Sequence, residues 1–106
     1  MINIHQINDN IVIQGHSLPQ ICAAVSSVLY TTVNAVLKHE ELGIETGQCT
    51  FEDNLEDDFF SIKINKHDDF VDLMIENMFD MFYDIQEQDK TNSIVITRMT
   101  KQKKTV

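Results

Sequence analysis

Ile11-Val12-Ile13-Gln14-Gly15-His16-Ser17-Leu18-Pro19-Gln20-Ile21-Cys22-Ala23-Ala24-Val25-Ser26 changes its hydrophobic period half-way along. Before Gly15 the apolar residues form a short β-branched run that follows the turn residues Asn8-Asp9-Asn10, the pattern of a strand. After Pro19 they recur as Ile21, Val25, Leu29, Val33 and Val36, steps of three and four that describe one face of a helix reaching about His39. Pro19 suits the first helical position, where its missing N–H would have had no partner. Leu18, preceding proline, is pushed out of the helical region, which fixes the start. Ser17 and Gln20 have capping-box spacing, although a box would begin the helix one residue earlier. The stretch is a strand turning into a helix.

Working outward, Ile2, Ile4 and Ile7 nearly alternate with polar residues and predict the first arm of a β-hairpin. Gly43 and Gly47 bracket a loop. Cys49 to Asp53 and Phe59 to Asn65 predict two more strands, joined by the acidic turn Asn54-Leu55-Glu56-Asp57. Asp68 is placed to cap a second helix that runs to about Gln88. Its core face is Phe70, Val71, Met74, Met78, Phe79, Met81, Phe82 and Ile85, and its outer stripe is Asp69, Asp72, Glu76, Asp80, Asp84 and Glu87. Methionines and aromatics at helical spacing predict core filling rather than a cofactor box. Ser93 to Arg98 supplies a last strand. The order β-β-α-β-β-α-β predicts an α+β fold, two helices packed on a mixed or antiparallel five-stranded sheet. One domain then occupies residues 1–98, and 99–106 form a basic tail.

Composition bounds the function. The 106 residues are enough for one domain, and 42% hydrophobic with 24% charged residues excludes wholesale disorder. No apolar run approaches the roughly 20 residues of a membrane span. Met1-Ile2-Asn3-Ile4-His5 lacks the basic start and apolar stretch of a secretory signal, and two cysteines make no disulfide scaffold. A cytoplasmic protein with free thiols is expected. The net charge is −9, and every acid except Asp9 lies between Glu40 and Asp89, where the only bases are Lys63 and Lys66. Beyond Asp89 come only bases: Lys90, Arg98, Lys101, Lys103 and Lys104. An acidic body repels phosphate backbones, so neither nucleic acid nor a membrane is an expected partner, and basic partners or substrates are favoured. The plain alternative is a solubilising surface with a solvated tail.

The chemistry sits at the turn. Cys22 lies about one turn inside the helix, where unpaired N–H groups and the positive end of the dipole stabilise a thiolate. A neighbouring imidazole, here His16, can hold the proton, and such settings bring a cysteine pKa from about 8.5 into a range of roughly 3.5 to 7.5. The same amides can receive an acyl-transfer oxyanion. Ser26, four residues on, shares the face of Cys22 and is placed to donate to the sulfur. Against this, a lone helical cysteine is more often core than nucleophile. His16, Cys22, Cys49 and His67 lack metal-ligand spacing, and three scattered glycines make no phosphate loop, so no metal or cofactor is expected. His5, His39 and His67 have no evident partners, and Cys49 reads as a packed strand thiol.

Gly15-His16, then Ile21-Cys22-Ala23-Ala24-Val25-Ser26-Ser27-Val28-Leu29-Tyr30 and Val33-Asn34-Ala35, resembles the bacterial ribosomal-processing cysteine proteases over residues 15 to 36. The resemblance implies a cytoplasmic, homodimeric thiol protease that needs no cofactor. It removes a short N-terminal extension from ribosomal protein L-twenty-seven, a step in ribosome biogenesis. His16 matches the catalytic histidine, Cys22 the nucleophile, and Ser26 the serine that follows it. The segment between His16 and Cys22 is shorter than the family pattern, Pro19 stands where an aspartate is usual, and Ser17 where an alanine is usual. Three function classes therefore stand side by side: an endopeptidase, an acidic module that binds a basic protein without cutting it, and a thiol regulator oxidised reversibly at Cys22. The apolar excess on the second helix gives a further reason to expect a two-fold dimer, through that helix or a sheet edge.

Overall fold

A computed structural model describes residues 1–42 and 47–100. Along the chain come β1 (Ile2–Ile7), β2 (Asn10–Gly15), α1 (Pro19–Glu41), β3 (Cys49–Asn54), a 3-10 turn (Leu55–Asp57), β4 (Phe59–Ile64), α2 (Asp69–Gln88) and β5 (Ile94–Met99). This is the expected order. The five strands form one sheet in the order β3-β4-β2-β1-β5, antiparallel except for the parallel pair β1 and β5, so the sheet is mixed. Gly43 and the basic residues Lys101, Lys103 and Lys104 lie outside the described residues.

The period-two rule decides which side of each strand is covered. Ile2 and Ile4, Ile11 and Ile13, Phe60, Ile62 and Ile64, and Ile94 all point to one face and are buried there. Their strand neighbours Asn3, Asn10, Gln14 and Lys63 are exposed on the other. The register stacks the inner set across strands, with Ile4 opposite Ile13, Ile13 opposite Phe60 and Ile11 opposite Ile62. Both helices lie on that face. Val25, Leu29, Val33 and Val36 of α1 join Val71, Ile75, Met78, Phe79 and Phe82 of α2 in one core. Phe79 and Phe82 meet edge to face at 6.0 Å, and both are fully buried. Truncating a phenylalanine so placed costs about 3–5 kcal/mol.

Several sequence expectations need correction. Ile7 is exposed and Gln6 is buried in its place, because strict alternation from Ile2 and Ile4 turns residue 6 inward. Gln6 is satisfied there: its amide donates to the Asn8 carbonyl at 2.8 Å and accepts from Arg98 at 2.9 Å. Arg98 also pairs with Glu76 and lies over the Phe79 ring at 3.9 Å. Ile75 belongs to the core of α2 and is absent from the sequence reading, which followed the Met and Phe positions and passed over it. The 23-residue helix α1 is long and apolar enough, by length and composition, to cross a membrane, although Ser, Thr and Asn break its apolar stretches. In this fold its apolar stripe is covered by the sheet and α2.

Candidate active site

The turn between β2 and α1 is fixed first by a glycine. Gly15 adopts φ of +116°, and a Cβ there would stand 2.0 Å from the carbonyl oxygen of Met1, so the backbones of β1 and β2 close on a residue without a side chain. The Gly15 N–H donates to the Asp58 carbonyl at 3.0 Å, and the His16 N–H to the Met1 carbonyl at 3.1 Å. Leu18 then takes φ of −58° and ψ of 147°, the extended conformation that a following proline imposes, and Pro19 opens the helix. The capping box does not form: α1 has no side-chain cap, and the Ser17 hydroxyl lies instead 2.5 Å from that of Ser93.

Cys22 is half-buried at the first turn. Its own N–H and that of Ile21 both donate to the Leu18 carbonyl, at 3.0 and 2.9 Å, so neither is free for the sulfur. The sulfur is held by Ser17. The Ser17 N–H donates to Sγ at 3.3 Å, and the thiol in turn donates to the Ser17 carbonyl at 3.4 Å. Ser26, proposed from sequence as the donor, is exposed on the same cleft, and Ser17 has taken the part assigned to it. Sequence spacing favours a residue one helical turn away; the contact comes from the loop that folds back.

His16 leaves the end of β2 with an exposed side chain, and its Nδ1 stands 3.8 Å from Oδ2 of Asp58. Asp58 sits in the tight turn before β4, at φ of +48°, a left-handed position that aspartate tolerates. Among the described residues the imidazole makes no hydrogen bond to Cys22. Beside them opens a cleft of about 130 Å³. Cys22 and Asp58 border it, Val25, Leu29 and Phe60 give it an apolar floor, and Tyr30 closes a wall. Tyr30 donates to Asp53 at 2.6 Å, a bond that raises its phenol above the ordinary value. Asp53 and Asp58 add carboxylates to its lining.

The second cysteine contrasts with the first. Cys49 is half-buried against the core in β3, and its thiol is pushed up to about 11 by burial and then by Glu40, Asp68 and Asp72. Two histidines thought to be without partners have them. His39 stacks on Phe70 at 4.2 Å and lies 3.5 Å from Asp68. His67 bonds Asp72 through Nδ1 and Asp9 through Nε2, each at 2.7 Å. Asp9 lies 58 residues away, beyond the reach of any local pattern. No group of three or more His, Cys, Asp or Glu side chains among the described residues stands close enough to hold a metal ion.

Fold and site define an α+β domain that presents a histidine and a cysteine on one strand-to-helix turn beside a cleft. Solved structures with this fold include the essential ribosomal processing protease Prp of Staphylococcus aureus. Its complex with a covalently linked product peptide superposes with a TM-score of 0.75 at 22% identity, over 92% of this chain and 99% of that one. Its complex with a substrate peptide gives 0.74 at 20% identity with the same coverage. A Streptococcus mutans protein gives 0.72 at 22% identity, over 95% of this chain and 99% of its own. No family model and no curated protein matches the sequence. The resemblance read from residues 15 to 36 thus extends to the whole fold.

Proposed function

We propose that this chain is a ribosomal-processing cysteine protease. The observation that carries the reading is the Cys22 sulfur, held at the first turn of α1 on the cleft, in a fold shared with a protease that has been caught with product and substrate peptides. Cys22 attacks the scissile carbonyl as thiolate, forming a tetrahedral intermediate that collapses to the thioester. His16 protonates the leaving amine, and water then hydrolyses the thioester. Asp58 faces Nδ1 of His16, the side from which a carboxylate orients a catalytic imidazole. The reading extends to the precursor of ribosomal protein L-twenty-seven as substrate, its apolar residues on the cleft floor and its basic body attracted by the −9 charge. It also extends to a bacterial cytoplasm and to a homodimer, for which Leu73 and Tyr83 on α2 supply exposed apolar surface. Light scattering at micromolar concentration gives twice the single-chain mass in that case, and the single-chain mass ends the dimer proposal.

A second reading has its own support. The His16 imidazole stands 3.8 Å from Asp58 with no hydrogen bond to Cys22 among the described residues, and Asp53 and Asp58 line the cleft, which favours binding a basic protein without cutting it. Mass spectra of the precursor incubated with the chain separate the two. A shortened product that Cys22→Ala abolishes selects the protease; retention of the intact precursor on the immobilised chain, with no product, selects the module.

A further inference from the structure

Among the described residues Asp89 is the one acid that the fold buries, at 6% exposure, and the reaction proposed above makes no use of it. It follows α2, and its oxygens are fully engaged. Oδ1 accepts from the N–H and hydroxyl of Thr91 at 2.9 and 2.6 Å. Oδ2 accepts from the N–H and hydroxyl of Ser93 at 2.8 and 2.9 Å. These donors, the Thr91 hydroxyl foremost, hold the carboxyl well below the usual carboxylate range.

The Ser93 hydroxyl stands 2.9 Å from Oδ2 of Asp89 and 3.0 Å from the Thr91 hydroxyl. It also lies 2.5 Å from the Ser17 hydroxyl, and either of the two can donate. A string of contacts therefore runs from Ser17 through Ser93 to Asp89. At its near end, the Ser17 N–H is the group on the Cys22 sulfur. The string ties the loop between His16 and Cys22, at the start of a helix without a side-chain cap, to the segment that follows α2.

The geometry points to Asp89 and Ser93 as positioning residues for Cys22, acting through Ser17. The inference rests on the reading of Cys22 as nucleophile and adds the device that aims it. Of the two Ser17 contacts, the carbonyl accepts only from the thiol, whereas the N–H is the contact a thiolate keeps.

Iodoacetamide modification of the full chain, followed by peptide mapping across pH, tests this. Ser17→Ala and Ser93→Ala each slow Cys22 modification at pH 7 by about three- to tenfold, the worth of one weakened hydrogen bond to a charged group. Both move its rate–pH curve toward higher pH and leave Cys49 unchanged. The double variant is no slower than either single, because one string has been cut once. Ser93→Thr, which keeps the hydroxyl, restores the rate. Unchanged or faster modification of Cys22 in Ser17→Ala overturns the proposal, and that variant serves alone if Ser93→Ala does not fold. The protease reading fails separately: absence of cleavage by the natural chain, with these rate shifts intact, leaves the string standing.

Discussion

The two helices begin in opposite ways. At the start of α2, Asp68 accepts from the Val71 N–H at 2.8 Å and from Gln48 at 3.1 Å, with His39 3.5 Å away. One residue earlier, His67 ties the helix to the β1–β2 turn through Asp72 and Asp9. At the start of α1 there is no side-chain cap, and a thiol occupies the position beside a cleft. Each end has a cysteine near it. Near α2, burial first and then the acids Glu40, Asp68 and Asp72 push Cys49 up to about 11; at α1 a backbone N–H points at the Cys22 sulfur. At the second helix start the polar side chains cap the helix and one another; at the first the Ser17 N–H is spent on a sulfur and the N–H groups of Ile21 and Cys22 on the Leu18 carbonyl.

Exchanging the cysteines one at a time breaks the comparison most sharply. Cys22→Ala removes cleavage by at least about 10³-fold, the scale on which loss of a nucleophile is felt. Cys49→Ala retains activity, measured on the same precursor by mass spectrometry. Equal loss in both variants would mean that the site has been assigned to the wrong helix. Without any substrate, Cys22 reacts with iodoacetamide more than about tenfold faster than Cys49 at pH 7, since a thiol held near 11 is almost entirely protonated there. Faster labelling of Cys49 would reverse the contrast.

The caps give the next effects. Asp68→Ala removes the capping oxygen of α2 and costs about 1–2 kcal/mol, read as a lower thermal midpoint, while Ser17→Ala, which removes no cap, costs less. Asp68 is held below its ordinary value, chiefly by the Val71 N–H, so its contribution is present above about pH 4 and fades as pH falls through the lowered value. His67 has the opposite sign. Its two carboxylate partners raise it, the Asp72 bond first, so its contribution is complete below the unfolded value of about 6.5 and is lost as pH rises through the folded one. The pair is well exposed, and the effect stays below about 1 kcal/mol. His67→Gln flattens that part of the stability–pH curve, and an unchanged slope would remove the bridge from the account.

How much could be read beforehand depended on the range of the interaction. The switch of period at Gly15 to Pro19, the Asp68 cap and the strands expected at 11–13 and 59–65 are short-range patterns, and the structure bears them out. The same patterning misjudged Ile7 and overlooked Ile75, where one step of register or a gap between larger apolar residues changes the face. In the site, the placement of Cys22 at the start of a helix was legible because proline restricts its neighbours. The partners of Cys22 were not, since Ser17 reaches it through a turn whose course depends on a contact with Ser93, 76 residues away.

By itself the sequence determined the element order, the two helical stripes and the presence of a histidine and a cysteine on one strand-to-helix turn. Those follow from φ restrictions, side-chain period and backbone capping, all of which act within a few residues. Tertiary structure alone decided the parallel pairing of β1 with β5, the carboxylates that face His16 and His67, and the string from Ser17 to Asp89. Hydrogen bonds and charges act over a few ångströms in space, and only the folded sheet brings residues 16, 22, 58 and 93 to one end of the molecule.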